Sequence, residues 1–282
     1  MNPSPRGTSS IVALMAAALL GGVCASCGRG GPDRPDILLI TIDTLRADRL
    51  GAYGARQIET PALDRLAREG IRFAAAYAVA PLTLPSHVSM LSGWLPAAHG
   101  VRTNDAFSVP AGVPLVAESL RDAGYNTAAF VGAFVLGRRT GIARGFAHFD
   151  DEVGPAGERR GDEVVRRARE WLARRDPDRP FFAWVHLFDP HLDYDPPEPY
   201  RSRYADRPYD GEVAYADHCV QSLIEFLQQD ARLDRTAIIA AADHGEALGD
   251  HGERSHGATL YESVIRVPLV VRRAGGSSGS RR

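Results

Sequence analysis

Three short apolar runs in this sequence end in the same way. Asp36–Ile42 (DILLITI) runs into Asp43, residues 181–188 (FFAWVHLF) run into Asp189, Pro190 and His191, and Thr236–Ala242 (TAIIAAA) runs into Asp243 and His244. Runs of this length and composition, without polar alternation, read as strands covered on both faces, as in a parallel sheet. Ligands of open α/β sheets bind outside the carboxyl ends of the strands. A single Asp after a strand is ordinarily a turn or helix-cap residue. Three such ends, two of them carrying Asp and His together, point instead to one crevice supplied with carboxylates and imidazoles. Such a gathering needs a cation to offset its repulsion and suits a divalent metal.

Helical patterns separate these runs. Pro61–Glu69 reads as a helix with Thr60 as its N-cap, Pro61 at its first position and Gly70 as its stop. Further helices are expected at 113–123, 158–175 and 212–229, and further strands at 126–131 and 264–272. Strand and helix alternate, which predicts an α/β domain with a largely parallel sheet. The arginines of 158–175 read as a solvated helix face rather than an anion patch.

A nucleophile is available in the segment from Pro81 to Gly93 (PLTLPSHVSMLSG). Pro85 is suited to start a helix that Gly93 ends, which puts Thr83 just ahead of a helix N-terminus. Free N–H groups and the helix dipole favour an anion there. A threonine hydroxyl is a weak nucleophile until a metal lowers its pKa. His87 lies one helical turn from Thr83, within reach of the same substrate.

These blocks, in this order, resemble the sulfatase family of the alkaline phosphatase superfamily, over nearly all of the stretch from Pro35 to Arg272. Asp43 to Asp48 with Leu50 to Gly54 resembles the first metal motif, and Thr60 to Ala67 the helix after it. Thr83 to Gly93 resembles the nucleophile signature, and Asp189, Pro190 and His191 a substrate-side loop. Asp243 to Glu246 is similar to the second metal motif; His256 and Gly257, with Tyr261, Glu262 and Val267 to Leu269, resemble the last active-site block. The resemblance implies a three-layer α/β sandwich, a largely parallel central sheet flanked by helices. It implies that Asp43, Asp243 and His244 bind one divalent metal with Thr83 as ligand and nucleophile, and that His191 and His256 face an anionic sulfate or phosphate ester. Zinc, manganese or calcium suits such ligands, the imidazole favouring zinc or a transition metal. Relatives sometimes hold a second metal, for which Asp189, His191 and His256 are the candidates here.

The departures from the sulfatase pattern are informative. Sulfatases carry a Cys or Ser that is oxidised to formylglycine, and the extra methyl of Thr83 makes that aldehyde unavailable. His87 replaces the signature arginine, Thr44 the second Asp of the usual pair, and His244 the usual Asn. Thr with Asp and His ligands is similar to phosphate-handling relatives: phosphodiesterases, phosphonate monoester hydrolases and envelope phosphoethanolamine transferases. Arg46 and Asn104 are candidates for anion contacts, His186 for a core or supporting role, and His99, His218 and His251 for surface or packing roles.

Outside the 35–272 domain, residues 1–27 read as an export signal: Arg6 precedes the apolar run 11–23, which is too short to span a bilayer comfortably. Ala25 and Ser26 before Cys27 fit a lipidated cysteine and hence a membrane tether in the periplasm or cell envelope. Cys219 reads as core filler. Residues 28–34 form a linker and 273–282 a tail. That tail stands where sulfatase-like chains continue into a C-terminal subdomain, so truncation to a non-catalytic remnant is the competing expectation. The formal net charge of −2, from 33 basic and 35 acidic residues, gives no ground for a nucleic-acid partner.

Overall fold

The computed structural model describes residues 34–276. The export signal, Cys27 and all of the linker but Arg34 fall outside the described residues, as do 277–282 of the tail. In chain order the elements are β1 (Asp36–Ile42), α1 (Pro61–Glu69), β2 (Ile71–Arg72), β3 (Ala76–Tyr77), α2 (Thr83–Ser92), α3 (Pro96–His99), α4 (Val116–Asp122), β4 (Asn126–Val131), β5 (His148–Asp150), α5 (Gly161–Arg174), β6 (Phe181–Leu187), α6 (Tyr200–Arg203), α7 (Pro208–Gln229), β7 (Thr236–Ala242), α8 (Glu262–Ile265), β8 (Arg266–Val267) and β9 (Leu269–Arg272).

The sheet order is β2-β9-β7-β1-β6-β4-β5. The five strands from β7 to β5 run parallel; β9, antiparallel to β7, and β2, antiparallel to β9, close one edge. Side chains alternate across the sheet and divide the core in two. Leu38, Ile40, Ala183, Val185, Ile238 and Ala240 meet α1, α5 and α7 on one face. Ile37, Phe182, Trp184, Ala129 and Val131 meet α2 and the segment around Leu115 on the other. This is the expected three-layer sandwich. The central strands β7, β1 and β6 are largely apolar because both faces are covered.

Several boundaries differ from expectation for local reasons. The strand expected at 264–272 is split: residues 262–265 form a helical turn, and Pro268 separates β8 from β9. Helix α7 starts at Pro208, four residues early, because a buried Asp210 and Glu212 hide its first turn from the hydropathy pattern. Thr60 is the N-cap of α1 but does not cap it with its side chain. Asp217 on α7 does so instead, accepting from the N–H groups of Ala62 at 3.0 Å and Leu63 at 2.8 Å. Cys219 is buried in the core, as expected.

Candidate active site

Strands β1 and β7 are neighbours in register, Ile42 opposite Ala242, so Asp43 and Asp243 leave the sheet side by side. The left-handed backbone at Thr44 (φ 52°) turns the chain away immediately after Asp43. The turn is held from α7, where Tyr209 accepts from Arg46 N–H at 3.0 Å and donates to the Thr44 carbonyl at 2.8 Å. On the β7 side, Gly245 packs so tightly on the Ser263 carbonyl that a Cβ would collide with it. Asp43, Asp243 and His244 present ligand atoms within 4.8 Å of one another, and all three are buried.

Thr83 is the first residue of α2, one step inside the helix rather than ahead of it; Pro85 falls in the first turn and Gly93 ends the helix in the left-handed conformation. Its hydroxyl lies 3.4 Å from Asp43 Oδ2 and 3.5 Å from His244 Nε2. His244 Nε2 is in turn 3.5 Å from Asp43 Oδ1 and 3.4 Å from Asp243 Oδ2. These separations are long for direct hydrogen bonds. Ligand atoms held about 2.0–2.4 Å from a shared cation stand roughly 3–3.7 Å apart. Asp43 Oδ1 and Asp243 Oδ2 are buried without any hydrogen-bond partner. Two orphaned carboxylate oxygens, a hydroxyl and an imidazole nitrogen therefore fit a divalent cation.

The protonation pattern agrees. His244 Nδ1 is 3.0 Å from the Gly245 carbonyl, which fixes its proton there and leaves the Nε2 lone pair facing the carboxylates. Burial pushes His244 down to about 4, against the opposing pull of Asp43. Burial, then repulsion from Asp43, drives Asp243 well above the carboxylate range. Burial acts the same way on Asp43, but the His186 contact and the nearby His244 reverse it and hold Asp43 low. The pair retains one negative charge where a cation would stabilise two.

His87 packs beneath the cluster, with Nδ1 3.6 Å from Asp243 Oδ2. It is fully buried under Thr83, with Nδ1 2.8 Å from the Thr83 carbonyl and Nε2 2.9 Å from Thr41 Oγ1. Trp184 Nε1 donates to the same Thr41 oxygen at 2.9 Å. The Thr83 carbonyl can only accept, so Nδ1 carries the proton and the Thr41 hydroxyl donates to Nε2. The chain Trp184, Thr41, His87, Thr83 is thus satisfied with a neutral imidazole, and burial pushes His87 down to about 3. His186, beside Thr41 in the sheet, supports Asp43 with Nε2 at 3.5 Å.

His256 sits over the cluster, its ring 4.3 Å from that of His244 and 5.4 Å from that of His191. Glu246, buried and absent from the expected site, accepts from His256 Nδ1 at 3.2 Å. Burial opposes protonation of His256, but Glu246 outweighs it and raises the pKa. His191 stacks on Phe188, and its Nδ1 lies 2.7 Å from the Leu192 carbonyl. Asn104 accepts from Leu84 N–H, the residue after Thr83, at 2.9 Å, which directs its amide oxygen to the helix.

Two candidates are corrected. Asp189 is spent on the α5 N-terminus, accepting from Gly161 N–H at 2.9 Å, with burial raising it to about 6. It is not brought to His191 and His256, so that trio assembles no second metal site among the described residues. Arg46 is not open to an anion: its guanidinium is committed to Asp48 and Asp250, each at 2.7 Å, and to the carbonyls of Glu246 and Ala247. His99 is buried against Ser89, while His218 and His251 are exposed, as expected.

The family model described as Sulfatase matches residues 35–281. The chain belongs to the sulfatase family. An arylsulfatase of Clostridium perfringens is 25% identical over 84% of this chain and 68% of its own length. Human N-acetylgalactosamine-6-sulfatase is 27% identical over 86% of this chain and 57% of its own length. Among solved structures, a putative sulfatase from Bacteroides fragilis superposes with a TM-score of 0.74 at 21% identity, covering 90% of this chain and 70% of that one. The phosphonate monoester hydrolase of Agrobacterium radiobacter also gives 0.74, at 20% identity, covering 86% of this chain and 68% of that one. At such identities the structural likeness establishes the shared sulfatase-type fold alone.

Proposed function

We propose that this sulfatase-family chain is a metal-dependent hydrolase of anionic sulfate or phosphate esters that uses Thr83 as its nucleophile. The observation that carries the reading is the Thr83 hydroxyl, at the N-terminus of a buried helix and within 3.5 Å of both Asp43 and His244. Asp43, Asp243, His244 and Thr83 would hold the cation, which when bound lowers the pKa of the hydroxyl and offsets charge on the transferred group. The Thr83 hydroxyl gives up its proton to solvent as its oxygen attacks phosphorus or sulfur, the bond from that phosphorus or sulfur to the leaving oxygen breaks, and the transferred group becomes an ester of Thr83. His256, held by Glu246, gives its Nε2 proton to the departing alkoxide. Water then attacks the Thr83 ester, His256 takes a proton back, and Thr83 is regenerated. His191, and the Asn104 amide NH2, would bind the oxygens of the transferred group.

A threonine cannot become the aldehyde on which formylglycine chemistry depends, and this favours phosphorus esters. The apolar run 11–23 and Cys27 support export to the cell envelope, where such esters occur on glycans and lipid headgroups. The test is a hydrolysis panel of aryl sulfate, phosphate monoester, phosphate diester and phosphonate monoester, with metal added. Preference for aryl sulfate would overturn the phosphorus assignment. Inactivity on every ester, in a folded and metal-bound chain, would favour a binding role instead.

A further inference from the structure

One buried carboxylate lies outside the metal cluster yet touches the substrate-side loop twice. Glu212 projects from the start of α7 and is only 5% exposed. Its Oε2 accepts from the His191 N–H at 2.9 Å, and its Oε1 accepts from the Asp195 N–H at 2.7 Å. The two donors bracket the segment 191–195, which contains no helix or strand of its own. Within that segment lie His191 and Tyr194. The Tyr194 ring packs edge-on against Tyr209 at 5.3 Å, and its hydroxyl faces Glu246, the carboxylate that holds His256. Below the segment, the Thr44 hydroxyl donates to the Pro190 carbonyl, joining the same loop to the residue after Asp43.

A buried side-chain carboxyl whose two oxygens each accept a backbone N–H is a geometrically fixed clamp. An irregular loop has no ladder partner for those two donors, and without the clamp they would turn to solvent and leave the loop untied from the fold. We propose that Glu212 is a positioning residue, which sets the placement of His191 beside His256 by fixing both ends of the 191–195 loop. This rests on the reading of His191 as a substrate-binding residue. It adds that the loop has no intrinsic rigidity and takes its geometry from helix α7, an element that contributes no side chain to the metal cluster.

Two measurements on Glu212→Gln test this. The first is amide hydrogen exchange of the full chain with metal added. Glutamine keeps one acceptor but turns an NH2 toward the other donor. Exchange in peptides spanning 189–195 should then rise about tenfold while peptides from α2 and β1 are unchanged. The second is a double-mutant cycle in kcat/KM with His191→Ala. Glu212→Gln should cost about tenfold when His191 is present and less than twofold when it is absent. Unchanged exchange in the loop would overturn the proposal, as would an equal loss with and without His191, which is the signature of a structural role. Should wild type hydrolyse no ester, the functional reading fails while the exchange experiment still decides the clamp. If Glu212→Gln does not fold, Glu212→Asp, which withdraws the carboxylate by one methylene, enters the same two measurements.

Discussion

The hydroxyl of Thr83 lies 3.4 Å from Oδ2 of Asp43, across 40 residues of sequence. Strand β1 delivers the carboxylate and the first turn of α2 delivers the hydroxyl. The buried chain from Trp184 through Thr41 to His87 fixes the turn to the sheet. If Thr83 is the nucleophile, a hydroxyl held this way loses little entropy on reaching its attack geometry.

Replacing Thr83 separates chemistry from structure. Thr83→Ala removes one methyl and one hydroxyl from a side chain whose oxygen makes only long contacts, so stability should change by about 1 kcal/mol or less. If Thr83 is the nucleophile, kcat/KM should fall by at least about 10³-fold, and Thr83→Ser should remain within about tenfold of wild type. Steady-state kinetics beside thermal melts check both. An Ala variant that keeps a tenth of wild-type activity would remove Thr83 from the mechanism.

Metal should show in stability before it shows in turnover. Asp43 and Asp243 repel one another in a dry site, and their outward oxygens have no partner. A cation binds only the folded cluster, so at about 100 times its Kd it should add roughly 2.7 kcal/mol, and chelation should remove it. Asp243→Asn relieves the repulsion and deletes a ligand. Its metal-free melting temperature should equal or exceed that of wild type, and its gain on adding zinc or manganese should vanish. Melts with and without chelator settle this; a wild type indifferent to chelator has no metal in that cluster.

How much of this was legible beforehand follows from where each signal lies. The strands were legible because each is a continuous apolar run, and Asp43, Asp243 and His244 because each follows such a run directly. The series of motifs carried the family. The supporting carboxylates were not legible. Glu212 and Asp217 lie on a helix of mixed polarity, and nothing local distinguishes a buried acid from a solvated one there. Asp189 looked like a metal ligand because it follows a strand, as Asp43 does. Only the packing of α5 against that strand end shows that its oxygen serves Gly161. His87 was placed near Thr83 by helical spacing, which gives the separation but not the direction, and it points into the sheet.

Asp217 should leave a pH signature on stability. Burial pushes it up to about 7, against the two backbone N–H groups it accepts, while in the unfolded chain it titrates near 3.8. Between those values the folded state holds a proton that the unfolded state has lost. Stability contributed by this group is therefore full below about pH 4, falls as pH rises to about 7, and is level above that. The ceiling is on the order of 4 kcal/mol. Asp217→Asn cannot titrate, and it pays a constant penalty for the α1 N–H that its amide cannot accept. Chemical denaturation at pH 4.5, 6 and 7.5 should show wild type losing stability relative to the variant across the series. Parallel curves would mean that Asp217 binds no proton in that range.

The role of His256 is best read through the leaving group. Glu246 raises its pKa, and the His256 ring lies 4.3 Å from that of His244, with Nδ1 rather than Nε2 engaged by Glu246. A general acid matters in proportion to how badly the departing oxygen needs a proton. A nitrophenolate leaves readily without one, whereas an alkoxide does not. His256→Ala should therefore lower kcat by about 10²- to 10⁴-fold on an alkyl ester and by only a few-fold on the nitrophenyl ester of the same acid. Glu246→Gln, which keeps the hydrogen bond but not the charge, should fall between wild type and His256→Ala on the alkyl ester. Binding of the anionic group alone would depress both substrates equally, because that group is identical in the two. A plot of log kcat against leaving-group pKa distinguishes these roles: the slope steepens in His256→Ala if the residue donates a proton, and stays parallel to wild type if it only binds the anion.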